Sequence, residues 1–179
     1  MNAKAYVHEM VRALLIYEPD TVERLIRRYR PRWRLFSGRR LVAVRPEVGL
    51  SRFADAVWVY VARNRVGHPI GYAVFFEVKT GVFTQAWVVQ LRGFVEELPR
   101  VRRAFATVFG RERVDAMHSY YVYICREDQI GALLREARRV YGHVTAFPIE
   151  LLLPVAVSRF EKAIEVARGM VRRRGKQGF

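Results

Sequence analysis

The chain has 179 residues, of which 51% are hydrophobic and 27% charged, so it can bury a core. Its length suits one domain of ~100–200 residues. This composition excludes wholesale disorder, and no apolar stretch approaches the ~20 residues that span a bilayer. With a single cysteine, Cys125, no internal disulfide and no cysteine-based zinc or iron–sulfur site is expected. We therefore expect a cytoplasmic protein whose N-terminus is not a signal peptide, with no membrane partner.

The net charge of +15 is the strongest compositional signal. Lys and Arg total 32 against 17 Asp and Glu, and all but four of the basic residues are Arg. Arg binds phosphates in a bidentate manner and stacks on aromatic rings. The charge therefore favours a polyanionic partner, usually nucleic acid. An archaeal or thermophilic source would explain the ratio of Arg to Lys, but not the excess of positive charge.

The N-terminal residues predict two helices. Apolar residues recur at helical spacing over residues 3–29, with a break near Pro19. Asp20 is predicted to cap the second helix, with Glu23 completing a capping box.

A basic stretch with interleaved aromatic residues follows, and its end at Leu35 and Phe36 is expected to enter a strand. Arg and aromatic side chains together suit phosphate contact and base stacking. The alternative is that the aromatics belong to the core and the arginines form a solvated face. The candidates for contact with nucleic acid are Arg27, Arg28, Arg30, Arg32, Arg34, Arg39 and Arg40, with Arg172, Arg173 and Arg174 near the C-terminus.

The remaining elements alternate strands and helices. Strands are predicted over residues 41–45, 54–63, 70–79, 120–125 and 144–153, and helices over residues 84–98, 101–109, 128–141 and 158–172. In this reading Pro99 breaks a helix, Asp128 caps one, and Pro154 ends the last strand. The order predicts an α/β fold, with a central mixed sheet flanked by helices, in one domain over residues 1–172. Residues 173–179 are expected to form a flexible basic tail.

Three ionisable residues interrupt the most hydrophobic part of the chain. Asp55 opens one strand, while Glu77 and Lys79 share a face at the end of the next. A hairpin centred near residues 66–67 would bring Asp55 beside Glu77 or Lys79. Oxygen ligands from Asp55, Glu77 and the Val78 carbonyl would suit Mg²⁺ or Mn²⁺, and Lys79 could orient a water or stabilise developing charge. The alternative is a surface ion pair on an edge strand.

These residues carry a resemblance to a known family. Asp55 followed by Glu77-Val78-Lys79 resembles the PD-(D/E)xK nuclease superfamily, which includes restriction-endonuclease-like enzymes and archaeal Holliday junction resolvases. The order of elements over residues 3–127 is similar as well. Lys79-Thr80-Gly81 before a helical Gln90 resembles the RecB/Cas4 branch, although Phe94 stands where that branch has Tyr.

The resemblance implies a restriction-endonuclease-like αβββαβ core with a C-terminal βα extension. It implies a deoxyribonuclease that uses Mg²⁺ or Mn²⁺ to hydrolyse phosphodiester bonds in DNA repair or recombination, and it is compatible with a homodimer. The choice between duplex, branched or single-stranded DNA and RNA as substrate, and the choice between endonuclease and exonuclease action, stay open. The alternative is a non-catalytic nucleic-acid-binding module, or an interaction subunit, on the same fold.

The resemblance also implies further site residues. An acidic residue of the first helix often completes the metal shell in this superfamily, and Glu9 is the best match, with Glu18 and Glu23 as alternatives. His8 would join the site if the chain follows some RecB-like members. Gln90 would face the metal end of the sheet.

Overall fold

A computed structural model describes residues 3–36, 38–46, 54–106 and 116–175. Its elements alternate as the sequence predicts, and the predicted α/β class with a mixed sheet is confirmed. They are α1 (Ala3–Tyr17), α2 (Pro19–Tyr29), β1 (Arg40–Pro46), β2 (Ala56–Arg63), β3 (Pro69–Val78), α3 (Gln85–Ala106), β4 (Ala116–Cys125), α4 (Glu127–Val140), β5 (Val144–Pro148) and α5 (Leu153–Gly175), with short 3₁₀ turns at Arg34–Phe36 and Ile149–Leu151.

The sheet has five strands in the order β1-β2-β3-β4-β5. The first three strands pair antiparallel, and β3, β4 and β5 pair parallel. The crossovers between the parallel strands are α3 and α4, as βα connections require. The carboxyl ends of β3, β4 and β5 therefore lie at the same edge of the sheet.

Helices cover both faces of this sheet, which explains why β2 and β3 read as nearly continuous hydrophobic runs. On one face, Val57 and Phe75 pack with residues of α3 and α4. On the other face, Trp58 and Phe76 pack with residues of α1, α2 and α5. The indole Nε1 of Trp58 also donates a hydrogen bond of 2.8 Å to the Leu15 carbonyl, which ties α1 to the sheet.

The β2–β3 hairpin has the predicted turn. The Asn64 side-chain oxygen accepts hydrogen bonds from the backbone N–H groups of Val66 and His68, at 3.0 and 2.8 Å. Gly67 has a φ of 86°, a conformation that costs a side chain steric strain. These local bonds fix where the chain reverses and hence the register of the two strands.

Two proline predictions are wrong. Pro99 does not break the helix, since α3 continues through it to Ala106. Leu98 and Val101 are buried on either side of it, so the packing of this face keeps the helix continuous where propensity alone would end it. Pro154 does not end a strand; it lies in the first turn of α5, where its missing N–H leaves no helical bond unmade. The strand before it ends at Pro148, shorter than predicted.

The predicted helix caps also differ. The residue before α2 is Glu18, so Asp20 lies in the first turn and makes no capping box with Glu23. Arg126 precedes α4, and Asp128 lies in its first turn, paired with that arginine at 2.6 Å. Both acids still lie near the positive end of a helix dipole, which is the same electrostatic preference at a different position.

The remaining differences concern the chain ends and one turn. The segment expected to enter a strand at Phe36 forms a 3₁₀ turn. The last helix begins five residues earlier than predicted and continues to Gly175, so residues 173–175 of the expected tail are helical, and residues 176–179 lie outside the described residues. Among the described residues, no helix combines the length and apolar character that crossing a bilayer requires.

Candidate active site

The hairpin register brings Asp55 and Glu77 together. Ala56 pairs with Phe76, and the Asp55 N–H donates a hydrogen bond of 2.8 Å to the Phe76 carbonyl, so Asp55 directly precedes β2 beside Glu77. Of the two neighbours that the sequence allowed for Asp55, the register therefore selects Glu77. Lys79 follows β3, where its N–H donates to the Ile124 carbonyl of β4 at 2.8 Å. All three residues lie at the edge of the sheet where β3 ends.

Glu77, Lys79 and Gln90 form a closed triangle of hydrogen bonds. The Lys79 ammonium donates to Oε1 of Glu77 at 2.6 Å and to Oε1 of Gln90 at 2.7 Å. The Gln90 amide donates to the same Glu77 oxygen at 2.9 Å. Gln90 thus reaches the site from α3, as the resemblance implies. Both donors bond to Oε1 of Glu77. Among the described residues Oε2 accepts no hydrogen bond, so this oxygen can bind another ligand.

Glu77 is a charged residue in the interior, with 7% of its surface exposed. Burial, and next the negative charge of Asp55, raise the pKa of Glu77 to about 7 against the opposing effects of Lys79 and Gln90. An anion this poorly solvated next to a second anion is stabilised by any cation that enters between them.

Asp55 is held in part by α1, which lies on the other side of the sheet from α3. One of its oxygens accepts a hydrogen bond of 2.7 Å from the Val78 N–H, and the other lies 3.2 Å from Nε2 of His8 on α1. The hydrogen bond to Asp55 raises the pKa of His8 above its ordinary value of 6.5. His8 shares a helix face with Val11 and Leu15, which are fully buried against the sheet, so the packing of α1 positions the imidazole. We call His8, Asp55, Glu77, Lys79 and Gln90 the Glu77 cluster.

The structure does not bring Glu9 into contact with the two carboxylates of the Glu77 cluster. Its side chain is half exposed and bonds to Nδ1 of His8 at 3.1 Å and to Arg12 at 3.3 Å, so it reaches the cluster only through His8. The alternatives lie elsewhere: Glu18 bonds to Arg159 and Glu23 to Arg27. The first helix therefore contributes His8, rather than an acid, to direct contact with Asp55.

The donor set fits a hard divalent cation in its chemistry. Asp55 and Glu77 offer carboxylate oxygens, and Val78 between Glu77 and Lys79 adds a backbone carbonyl, the ligands that Mg²⁺ and Mn²⁺ prefer. Within the described ranges, however, no group of three or more His, Cys, Asp or Glu side chains is arranged to hold a metal. A cation here would rely on two carboxylates, and its remaining ligands would come from backbone, water and substrate.

The predicted arginines divide by environment. Arg27 is engaged within the fold, with Glu23 at 2.6 Å and the Phe36 carbonyl at 2.8 Å. The Arg39 guanidinium stacks 3.4 Å from the centre of the Tyr72 ring. Solvent-exposed positions are Arg28, Arg32 and Arg40, and Arg30 is half buried. The side chains of Arg34, Arg172, Arg173 and Arg174 lie outside the described residues.

Sequence reasoning missed a second group of basic and aromatic residues. Tyr120, Arg138 and His143 line one cavity together with Arg30 and Trp33. These residues come from distant parts of the chain, and no local pattern links them. This cavity lies beside the middle of β4 and the amino end of β5, away from the Glu77 cluster.

Comparison with known proteins adds no assignment, because no family model, curated protein or solved structure matches this chain.

Proposed function

We propose that this chain is a metal-dependent deoxyribonuclease of the restriction-endonuclease-like fold, which hydrolyses phosphodiester bonds at the Glu77 cluster. The observation that carries the proposal is the 2.6 Å contact between Glu77 and Lys79 at the sheet end that also holds Asp55. Two carboxylates and an amine in one place are the components of metal-assisted phosphoryl chemistry. The net charge of +15 supports a polyanionic substrate.

Each residue of the cluster has a role in this proposal. Asp55 and Glu77 would hold a Mg²⁺ or Mn²⁺ ion, which when bound would polarise the scissile phosphate and acidify a water. Lys79 stabilises the negative charge that develops on the phosphate and orients the attacking water. Gln90 fixes the positions of both Glu77 and Lys79, since it bonds to each. His8 keeps the Asp55 carboxylate in one orientation.

A cleavage assay tests the proposal. Purified protein is incubated with plasmid, single-stranded and branched DNA in Mg²⁺, in Mn²⁺ and in EDTA. We expect cleavage with metal and none in EDTA. Asp55→Ala and Lys79→Ala should each reduce the rate by ~100-fold or more, because each removes a group that acts on the reacting phosphate, while DNA binding survives.

Matched controls are available at exposed positions. Asp128→Ala and Lys162→Ala remove the same charges away from the cluster and should leave the rate unchanged. Metal-dependent cleavage at the wild-type rate by both Asp55→Ala and Lys79→Ala would refute the assignment of the site.

A second candidate is a non-catalytic nucleic-acid-binding module. It is favoured by the absence, among the described side chains, of a three-ligand metal group, and by Glu9 standing apart from Asp55. It predicts salt-sensitive binding of DNA with no cleavage under any divalent ion. The same assay separates the two candidates, because only the nuclease requires the metal.

A further inference from the structure

A cavity of about 610 Å³ opens beside the middle of β4 and the amino end of β5. Small-molecule sites typically enclose ~300–1,000 Å³, so this volume is in the range of a nucleotide-sized ligand. Its wall combines the segment after α2, the end of α4 and the two strands. We call it the basic cavity; its side chains include Arg30, Arg32, Trp33, Tyr120, Arg138 and His143.

The charge of the basic cavity has one sign. Three arginines and a histidine line it, and no Asp or Glu is among the lining residues. In the part of the chain that the structure describes, Arg30, Arg32 and Arg138 have no carboxylate partner, unlike Arg139, which pairs with Glu136 on the same helix at 3.1 Å. Nε of Arg30 is buried and has no hydrogen-bond partner among the described residues. Three guanidinium groups around one cavity, without a carboxylate among the residues that line it, favour an anionic ligand.

Aromatic rings supply the rest of the wall. Tyr120 is half buried, and the centre of its ring lies 5.4 Å from the centre of the His143 ring in an edge contact. Trp33 is held against Phe36 at 5.3 Å, so its orientation is fixed by the core. Rings held in this way offer faces on which a nucleobase can stack, whichever base it is.

We propose that the basic cavity binds a nucleotide that carries a terminal phosphate. Arg32 and Arg138 hold the phosphate, and the base lies against Trp33 and Tyr120. The terminal nucleotide of a nucleic-acid strand and a free mononucleotide share this chemistry.

This site is separate from the Glu77 cluster. Tyr120 pairs with Val74 on β3, three positions before Glu77, so the two sites are ~10 Å apart along the strands. Tyr120 and Val74 also lie on the face that α1 and α2 cover, whereas Gln90 of α3 reaches Glu77 from the other face. Binding here does not depend on cleavage, and the proposal stands or falls independently of the nuclease activity.

The test measures binding in EDTA, where no metal-dependent cleavage occurs. A short single-stranded oligonucleotide with a 3′ fluorophore and a 5′-phosphate is titrated with the full chain by fluorescence anisotropy, beside the same strand with a 5′-hydroxyl. Arg32→Ala and Arg138→Ala are compared with Arg135→Ala, an exposed arginine of the same helix α4 outside the cavity wall. Circular dichroism verifies that the variants fold.

We expect a preference for the 5′-phosphate, and a loss of ~10-fold in affinity for that strand in Arg32→Ala and in Arg138→Ala, as for one charge-assisted contact. Arg135→Ala should lose ~2-fold or less, because a remote charge is screened by salt. Competition by dAMP would identify a mononucleotide site; a 5′-phosphate preference without such competition would identify a strand end. Equal affinity for the two strands, or equal losses in Arg138→Ala and Arg135→Ala, would overturn the proposal.

Discussion

Replacing Glu77 by Gln should stabilise the metal-free protein at neutral and higher pH. Gln has the shape of the protonated acid and can still accept the hydrogen bond from Lys79 that Glu77 accepts at 2.6 Å. The wild-type carboxyl is different, because burial raises its pKa from the ordinary 4.5 to about 7. The folded state therefore binds a proton that the unfolded state releases between these two pH values.

The magnitude follows from this difference. Each unit by which the folded pKa exceeds the unfolded pKa is worth about 1.4 kcal/mol, so ionised Glu77 destabilises the fold by about 3 kcal/mol. The side chain is 9% exposed, so solvent screening does not remove this effect. Because the pKa of this acid is raised on folding, the stability of wild type relative to Glu77→Gln is highest at and below about pH 4.5. It falls as the pH rises from 4.5 to about 7, and then levels off.

Urea unfolding at several pH values in EDTA measures the effect. Wild type and Glu77→Gln should have nearly equal free energies of unfolding below pH 5, and the variant should be more stable by about 3 kcal/mol at pH 8. Mn²⁺ should narrow this gap by stabilising the ionised wild-type carboxylate. Glu136→Gln on α4 removes the same charge from a partly exposed ion pair with Arg139 and should change the free energy of unfolding by less than about 1 kcal/mol at pH 8. A gap between wild type and Glu77→Gln that is independent of pH would refute the reasoning.

Three further outcomes test the fold and the contacts of the site. Asp55→Asn should lower the pKa of His8 toward 6.5 in an NMR titration, because the hydrogen bond to Asp55 is the largest cause of its rise; an unchanged pKa would contradict the contact. Phe94→Ala should lower the free energy of unfolding by about 3–5 kcal/mol, because the ring is fully buried; a loss below about 1 kcal/mol in urea unfolding would contradict its place in the core. Gly67→Ala should lower the free energy of unfolding by about 1 kcal/mol, because Gly67 has a φ of 86°. Gly81→Ala, with no atom near the added Cβ, should leave it unchanged. Equal effects of the two substitutions on the unfolding midpoint would argue against this turn.

The sequence predicts the hairpin at the site because its determinants are local. Two apolar runs flank a turn that contains Asn64 and Gly67. A hairpin centred near residue 66 pairs residues at equal distances on either side of it, which sets the register of the two strands. Asp55 and Glu77 are then neighbours without any knowledge of the other helices. The period of two in strands also predicts that Lys79 shares their face.

The sequence predicts less where distant elements meet. His8 lies on the buried stripe of α1 with Val11 and Leu15, yet only the packing of α1 across the sheet decides that it reaches Asp55. The favoured acid, Glu9, is one residue away and lies on another side of the helix. The continuity of α3 through Pro99 likewise depends on tertiary burial that outweighs local propensity.

The basic cavity shows the same limit. Arg30 and His143 line it together although more than a hundred residues separate them in the chain. An excess of arginine indicates that an anion binds somewhere, but local patterns do not show which arginines converge. Some of the predicted arginines are engaged within the fold instead, as Arg27 is with Glu23.

The central claim, that Asp55 and Glu77 together form one cation site, is tested most directly by a calorimetric Mn²⁺ titration. The wild-type protein should bind one Mn²⁺, and Asp55→Ala and Glu77→Gln should each abolish that binding, while Asp128→Ala, which removes an exposed acid outside the Glu77 cluster, should retain it. Binding of Mn²⁺ by both site variants with the affinity and stoichiometry of wild type would contradict the claim.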